Sequence, residues 1–249
     1  MTTETIVAIE AGVMRITMNR PDKKNALTGA MYDAMTAAME QADARDDVRA
    51  VVLEGSGGAF TAGNDLGDFL ATATRGQESR AFPFIRKIAT LDTPIVAAVD
   101  GVAVGVGTTL LFHCDLVYAT PAAKFRMPFV DLGLLPEAGS SLLAPARFGM
   151  AKASEYILLA EAFGPQEAKD LGLVNGIVPQ AELAETAMAA ARKLAAKPAG
   201  ALRMARQLMR GDRKDIVAAM ERESAAFAKA LKSPEAKAAF ESFLNRAKG

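Results

Sequence analysis

A chain of 249 residues is long enough to bury a sizeable core, as one large α/β domain or as a domain with an appendage. Its 29 basic and 29 acidic side chains balance, which excludes an overall basic field for nucleic acid and an acidic tail that only solvates the chain. We therefore expect no nucleic-acid partner, and a polyanionic ligand would have to be met by local positive groups.

The N-terminus and the single cysteine predict a cytoplasmic protein. Residues 1–5 have neither the basic nor the apolar region of a signal peptide. Asp100 interrupts the longest apolar run, so no segment reaches the roughly 18 apolar residues of a membrane-spanning helix, and we expect no membrane association. Cys114 excludes an internal disulfide and, in its apolar stretch, is expected to be a small buried side chain.

The first half of the chain predicts strands and helices in a recurring order. Residues 6–9 and 13–18 read as a hairpin, and Thr28 can cap a helix in which Met31, Met35 and Met39 keep helical spacing. Strands are predicted at 51–53, 95–99, 116–118 and 124–126, and helices at 65–74, 78–89 and 108–114. This repetition suggests stacked ββα units, although periodicity alone establishes only an α/β fold.

The last predicted strand, residues 174–178, is followed by a change of composition. Alanine-rich helices are predicted at 181–196, 199–209, 215–231 and 234–247, separated by proline and glycine. A helical tail of this kind has to bury an apolar face against another surface.

Two glycine-bearing turns lie between strand-like runs and helical patterns, at residues 60–66 and 100–107. Glycine allows a sharp turn, and the first N–H groups of each following helix lack a partner within that helix. Two such groups could hold one anionic oxygen, although tight strand-to-helix connections explain the same spacing equally well. The glycines at 55–58 fit neither the dinucleotide fingerprint nor the P-loop, which makes a nucleotide-binding fold improbable.

His113 is the only histidine, and its apolar helix favours a satisfied core side chain. A Ser-His-Asp triad and a histidine-rich metal site therefore lack their parts.

Taken together, these motifs resemble the crotonase superfamily of acyl-CoA enzymes. Residues 60–66 are similar to the family's F-[ST]-A-G-x-D-[LI] turn, residues 98–107 to its second turn, and residues 19–27 to its N-terminal coenzyme-binding segment. The segment 132–141 is similar to that of the single-glutamate enoyl-CoA isomerases.

The resemblance implies a crotonase-like superhelix of repeated ββα units. It divides the chain into a spiral core with the acyl-CoA site, residues 1–196, and a C-terminal helical region, residues 197–249, that covers the site and mediates trimerisation. A homotrimer or a dimer of trimers is the implied assembly.

The resemblance also assigns the site. It places the two oxyanion N–H donors on Asn64 and Val106, and both are backbone groups, so a side chain that points away is acceptable. Further residues implied to bind the acyl-CoA substrate are Lys24, Ala26, Leu27, Ala62, Gly63, Asn64, Asp65, Leu66, Gly105 and Phe243. Arg20 and Lys23, with Lys24, are candidates to bind the coenzyme phosphates. Phe243 fits a core residue as well as a residue that contacts the coenzyme. The wall of the acyl pocket is expected to include Leu66, Phe69, Leu70, Phe82, Phe84 and Leu135.

The position of the acid separates the activities of the superfamily. Its hydratases use two glutamates, and alignment of the turns places Thr109 and Phe129 there, which argues against a hydratase. Glu137 matches the lone carboxylate of the isomerases, and Leu134, Leu135 and Pro136 are expected to desolvate it and raise its pKa. From local sequence alone, Pro136 and Glu137 also fit the first turn of a helix.

The resulting prediction is a Δ3,Δ2-enoyl-CoA isomerase that needs no metal or redox cofactor, with Glu137, Asn64 and Val106 as its catalytic residues. Two alternatives remain open at this point: an acyl-CoA hydrolase or other enolate chemistry that uses the same acid, and a non-catalytic acyl-CoA-binding protein.

Overall fold

The computed structural model describes residues 3–68 and 79–246, with side chains up to residue 242. Its main sheet has six strands in the order β1-β2-β3-β4-β6-β8. β1 and β2 are antiparallel and the other neighbours are parallel. The strands are β1 Thr5–Glu10, β2 Val13–Met18, β3 Ala50–Gly55, β4 Ile95–Val99, β6 Leu116–Ala119 and β8 Gly176–Ile177.

A second layer consists of short parallel pairings. Strands β5, Val102–Val104, and β7, Lys124–Arg126, form a two-stranded sheet. Single parallel bridges continue this layer between Leu27 and Asn64 and between Thr61 and Ala103. The chain thus crosses from a long strand of the main sheet to a short extended segment of the second layer, then to a helix, and repeats the path. This is the predicted spiral of ββα units.

Both faces of the main sheet are covered, so its strands are apolar on each side. Met14, Ile16, Val51 and Leu53 point into the large core of the spiral. Their neighbours Val13, Ala50, Val52, Val96 and Ala98 form a separate core with Leu183, Ala187, Met188, Ala190 and Ala191 of one long helix. That helix therefore closes the outer face of the sheet.

Ten helices of the described residues surround the strands. They are α1 Gly29–Ala44, α2 Ala81–Thr90, α3 Val106–Thr109, α4 Ser140–Phe148, α5 Met150–Leu158, α6 Pro165–Asp170, α7 Gln180–Ala195, α8 Ala199–Arg210, α9 Arg213–Ala230 and α10 Pro234–Arg246. Short 3-10 turns occupy Pro21–Lys23, Leu110–His113 and Val130–Leu132. Helix α9 lies against α2 and α4, which brings the C-terminal region to the segment after Pro136.

Several predicted elements are confirmed with small shifts, and three predictions are wrong in detail. The Thr28 side chain accepts a hydrogen bond from the Met31 N–H and caps α1 as expected. The helix expected at 108–114 begins two residues earlier, ends after one turn and continues as a 3-10 turn. The strand expected at 174–178 is reduced to two residues. Pro136 and Glu137 precede α4 as a loop, so the alternative of a helix first turn is wrong.

Within the described residues, no helix combines the length and the apolar character needed to cross a membrane.

Candidate active site

The two glycine turns lie side by side in the second layer. Thr61 donates its N–H to the Val102 carbonyl at 2.9 Å, and the Val104 N–H donates to the Thr61 carbonyl at 3.0 Å. The bridge between Thr61 and Ala103 sets the register. Asn64 and Val106 each follow this bridge by three residues, and both line one cavity.

Each of the two turns requires glycine at one position, and the physical reason differs between them. Gly63 has a φ of 88°, and a Cβ there would lie 2.7 Å from the Val104 carbonyl oxygen. Gly105 has a φ of 57° with a ψ of −119°, a region that side chains do not tolerate. The close approach of the two segments therefore depends on the missing side chain at Gly63, and the turn into α3 depends on Gly105.

The backbone N–H groups of Asn64 and Val106 donate no hydrogen bond to any group of the described residues. Val106 is the first residue of α3, where the N–H has no acceptor within the helix. Its neighbours Gly105, Thr108 and Thr109 do use their N–H groups within the fold. Two free donors that line one cavity form a suitable site for one negatively charged oxygen.

The N-terminal segment 20–27 holds the first turn in place. Asn25 is buried at a φ of 55°, and its side-chain amide donates to the carbonyls of Ser56 at 2.8 Å and Ala59 at 2.7 Å. The Thr61 hydroxyl donates to the Asn25 carbonyl at 2.7 Å. These bonds join the segment after β2 to the segment after β3.

Three predicted binding residues belong to the same junction. Leu27 donates its N–H to the Gly63 carbonyl at 2.8 Å, and Asp65 donates its N–H to the Leu27 carbonyl at 2.9 Å. Asp65 also accepts from the Arg20 guanidinium at 2.7 Å. Partial burial would raise the pKa of its carboxyl, but the hydrogen bond from the Asp68 N–H and the Arg20 ion pair hold that pKa below the ordinary range. Arg20 is thereby engaged within the protein.

Tyr32 of α1 fixes the Asn64 side chain, an interaction that sequence patterns did not indicate. Its buried hydroxyl donates to Asn64 Oδ1 at 2.6 Å. Burial, together with the nearby charge of Glu137, raises the pKa of Tyr32 well above its ordinary value, so the phenol remains a donor. The Asn64 side chain is thus turned toward α1.

A cavity of about 310 Å³ opens at the two turns. Ala62, Gly63, Asn64, Gly105 and Val106 line it from the turns. Its remaining described lining is mostly apolar and includes Leu66, Phe129, Leu132, Leu134 and Phe227, together with Lys23, Ala26 and Asp65. A ligand that has both apolar and polar parts fits this lining.

Glu137 is held against α3 next to this cavity without lining it. The Thr109 hydroxyl donates to Glu137 Oε1 at 2.5 Å, one helical turn after Val106. The carboxyl is only 5% exposed, and its Oε2 has no hydrogen-bond partner among the described residues. One oxygen is therefore fixed, and the other remains available to exchange a proton.

The pKa of Glu137 is raised from 4.5 to about 8. Burial is the main cause, the negative charge of Glu223 adds to it, and the Thr109 hydrogen bond acts in the opposite direction. A carboxyl that titrates near neutral pH suits proton transfer at a carbon next to a thioester.

The loop of Glu137 has an unusual backbone that distant groups hold. Ala138 and Gly139 have φ values of 59° and 71°. The His113 ring donates through Nε2 to the Ala138 carbonyl at 2.7 Å, and burial lowers the pKa of His113 to about 4, so the ring is neutral. His113 is a satisfied core residue, as predicted.

Other expectations for the site have mixed outcomes. Lys24 is exposed and donates no side-chain bond within the described residues, whereas Lys23 lines the cavity. Phe84 lies in the core against Tyr32 and Leu135 is 37% exposed, and neither of these two expected pocket residues lines the cavity. Phe82 contacts Phe227, which does line it. Phe69, Leu70 and the side chain of Phe243 lie outside the described residues.

The chain was compared with known proteins. The profile of the family described as enoyl-CoA hydratase/isomerase matches residues 8–249. The 1,2-epoxyphenylacetyl-CoA isomerase of Escherichia coli (strain K12) is 35% identical over 206 residues, which are 80% of this chain and 79% of that protein. Enoyl-CoA delta isomerase 2 of Rattus norvegicus is 35% identical over 225 residues, which are 88% of this chain and 57% of the relative. Other relatives are named enoyl-CoA hydratases.

Solved structures agree with the fold. The crystal structure of an enoyl-CoA hydratase/isomerase from Pseudoalteromonas atlantica T6c superposes with a TM-score of 0.93 at 37% identity and covers 98% of both chains.

Proposed function

The chain belongs to the enoyl-CoA hydratase/isomerase family of acyl-CoA-processing enzymes, and we propose that it is a Δ3,Δ2-enoyl-CoA isomerase. The observation that carries the proposal is the presence of one exchangeable carboxyl, Glu137, beside two free backbone donors. Hydration would need a second group to activate water. Thr109 and Phe129 occupy the two positions at which hydratases of the superfamily carry their glutamates.

The other acids near the site are fully engaged. Asp65 lines the cavity, but its Oδ2 accepts from Arg20 at 2.7 Å and its Oδ1 from the Asp68 N–H at 3.0 Å. Glu223 accepts hydrogen bonds with both of its oxygens. Phe129 lines the cavity with a ring that cannot exchange protons. These contacts favour proton transfer by a single acid over addition of water.

The proposed reaction moves one proton. The thioester oxygen would accept hydrogen bonds from the N–H groups of Asn64 and Val106, which stabilise the charge that develops on it. Glu137 Oε2 would take a proton from C2 of a 3-enoyl thioester, which forms a dienolate, and return it to C4 as the double bond shifts to C2. The chemistry requires no metal or redox cofactor.

The coenzyme would lie beside the polar residues of the cavity lining. Lys23 and Lys24 are candidates for its phosphates, and the backbone of residues 24–27 and 62–66 would line its path. Leu66, Phe129, Leu132, Leu134 and Phe227 would contact the acyl chain.

We also propose that the protein self-associates, as the resemblance implies. Exposed apolar side chains on α5 and α8 are available for this purpose, and they include Met150, Leu158, Leu208 and Met209 with exposures of 63–87%. Light scattering of the purified protein would distinguish a monomer from a trimer or a hexamer.

The activity is tested with a panel of 3-enoyl-CoA and 2-enoyl-CoA thioesters. Double-bond migration, water addition and release of free coenzyme A are followed together for wild type and Glu137→Gln. We expect migration only, lowered by about a thousandfold in the variant, because a positioned proton-transfer group contributes about this much. With a substrate deuterated at C2, part of the label should reappear at C4, because the same carboxyl carries it.

Other outcomes identify the alternatives. Release of coenzyme A that requires Glu137 would indicate a hydrolase and would contradict the proposal. Tight binding of the thioesters with no turnover in wild type would indicate a non-catalytic binding protein.

A further inference from the structure

A second buried carboxylate, Glu223 of α9, lies on the loop that carries Glu137. It is 8% exposed and accepts hydrogen bonds from the Gly139 N–H at 2.6 Å, the Ser141 N–H at 2.9 Å and the Ser141 hydroxyl at 2.5 Å. These are the residues at the start of α4, two to four positions after Glu137. A C-terminal helix thus supplies the acceptor for the free N–H groups at this helix start.

The packing around Gly139 shows that the contact is close. A Cβ at Gly139 would lie 3.3 Å from Ile216 Cγ2 and 3.6 Å from Met220 Cγ, both of α9. The Glu137 carbonyl also accepts from the Ser140 N–H at 3.0 Å, so the position of Glu137 follows that of the helix start.

No lysine or arginine of the described residues forms an ion pair with Glu137 or Glu223. The titratable groups that face Glu137 are Tyr32 from α1, His113 from the 3-10 turn through the Ala138 carbonyl, and Glu223 from α9. Tyr32 and His113 are uncharged at neutral pH because both are buried. Among these groups, Glu223 is the one whose negative charge raises the pKa of Glu137.

A negative charge near a second carboxyl favours the protonated form of that carboxyl. Glu223 accepts three hydrogen bonds, whereas Glu137 accepts a single one and has one oxygen without a partner among the described residues. The charge of Glu223 therefore adds to burial in raising the pKa of Glu137.

We propose that Glu223 is a positioning residue that fixes the Glu137 loop on α9 and whose negative charge favours the protonated form of Glu137. The catalytic consequence rests on the proposed function, in which Glu137 must be ionised before it can take the proton from C2. Glu223 then raises the pH above which the enzyme becomes active.

The first experiment compares the pH dependence of kcat/KM in wild type and Glu223→Gln. Glutamine has almost the same shape but carries no charge, so the rise of kcat/KM should move to lower pH by about one unit. A lower rate at every pH with an unchanged midpoint would show a merely structural role and overturn the proposal. Glu221→Gln is the matched control, since Glu221 is on the same helix in an exposed pair with Arg86 at 3.4 Å, and its midpoint should equal that of wild type.

The second experiment needs no activity. The folded-state pKa of Glu137, about 8, lies above the value of 4.5 for an unfolded glutamate, so wild type loses stability relative to Glu137→Gln as the pH rises between these values. The difference in Tm between the two proteins should therefore grow over this range and level off near pH 8. In the Glu223→Gln background it should level off about one pH unit lower.

The two readouts separate the possible failures. If wild type has no isomerase activity but the Tm difference responds to Glu223→Gln as stated, the proposed function fails and the role of Glu223 stands. If the Tm difference is the same in both backgrounds, the role of Glu223 fails whatever the activity.

Should Glu223→Gln not fold, Ser141→Ala replaces it. This change at an exposed residue removes one donor to Glu223 and should lower the Glu137 midpoint by less than one unit. A midpoint equal to that of wild type in this variant would also overturn the proposal.

Discussion

The hydroxyl of Thr109 acts against the burial of Glu137. Its hydrogen bond to Oε1 stabilises the ionised carboxylate, whereas the removal of water around the group favours the protonated form. The balance leaves a pKa of about 8 where burial alone would give a higher value. A side chain that cannot itself exchange a proton at neutral pH thus keeps its neighbour usable as a base.

Replacement of this hydroxyl should shift the pH dependence of the reaction. In Thr109→Val the carboxylate loses its donor, so the pKa of Glu137 rises by about one to two units and the increase of kcat/KM moves to higher pH. The rate at neutral pH should fall by about tenfold or more and recover under alkaline conditions. The measurement is a pH profile of isomerisation.

Thr109→Ser is the matched control because it keeps the hydroxyl. Its midpoint should stay within a few tenths of a unit of wild type. A valine variant with the same midpoint as wild type would contradict the assigned role of the hydroxyl.

Whether a site residue could be predicted from the sequence depended on how far it lies along the chain from the residue it contacts. Glu137, Asn64 and Val106 could be proposed because each lies in a recognisable local motif. Tyr32 and Glu223 could not, since they act from 32 and 86 positions away on helices whose local pattern only indicates an apolar face. Thr109 was seen only as a missing acid, and its hydrogen bond to Glu137 required the fold.

The short second-layer strands position the two turns, although they contain few residues. Asn64 and Val106, whose N–H groups are free among the described residues, each follow the bridge between Thr61 and Ala103 by three residues. Gly63 is the point of closest approach, because any side chain there would meet the Val104 carbonyl. The turns therefore tolerate little change in backbone position.

Gly63→Ala should disturb this approach. The added Cβ would stand 2.7 Å from a backbone oxygen at a φ of 88°, so one of the two segments has to move. We expect a loss of about 1–3 kcal/mol in the free energy of unfolding and a drop in kcat of about a hundredfold, as for the loss of one oxyanion donor. Denaturant unfolding and steady-state kinetics measure the two effects.

Gly200→Ala serves as the control. Gly200 lies in α8 with no atom within 4 Å of an added Cβ, and alanine favours a helix. Stability should be unchanged or slightly higher, with unchanged kcat. Wild-type kinetics in Gly63→Ala would refute the argument about the close approach.

Elements with strong local signals were predicted well. The capped helix α1, the hairpin and strands β3 and β4 follow from residues close together in sequence. Helices α4, α5 and α6 were not predicted, and α4 contains Pro145, which weakens a local helix signal. Their positions depend on packing, such as the stacked rings of Phe125 and Phe163, that periodicity does not encode.

The C-terminal helices are joined to the spiral by buried charge as well as by apolar contacts. Arg206 of α8 is 6% exposed and donates through Nε to both oxygens of Asp115, at 2.7 and 2.9 Å. It also donates to the Leu91 carbonyl at 2.5 Å, and Arg210 shares Asp115 at 2.9 Å. Asp115, the residue before β6, therefore binds arginine side chains from two successive turns of α8.

Arg206→Met should weaken this attachment. Asp115 would keep only Arg210 as a charged partner in a mostly buried position, which costs about 3 kcal/mol in the free energy of unfolding. Arg203→Met, at an exposed arginine of the same helix, should stay within about 0.5 kcal/mol of wild type. Thermal unfolding of both variants is the measurement, and equal Tm values would show that the pair contributes no net stability.

For the molecule as a whole, the general α/β class followed from the alternation of elements, and the spiral path followed from the resemblance of three motifs. Neither indicated which helix supplies the support for Glu137, because that depends on how residues after 197 fold back over the spiral. Long-range contacts of this kind carry no local signature.

The bridge between Thr61 and Ala103 has a quantitative consequence for chemistry. Neighbouring strands are about 4.8 Å apart, and two amide nitrogens at that separation can each stand about 2.9 Å from one oxygen placed between them. The spacing of the Asn64 and Val106 N–H groups would thus follow from the polypeptide ladder itself. In the proposed function, side chains around the site could change to suit other acyl groups while the hydrogen bonds to the thioester oxygen stay the same.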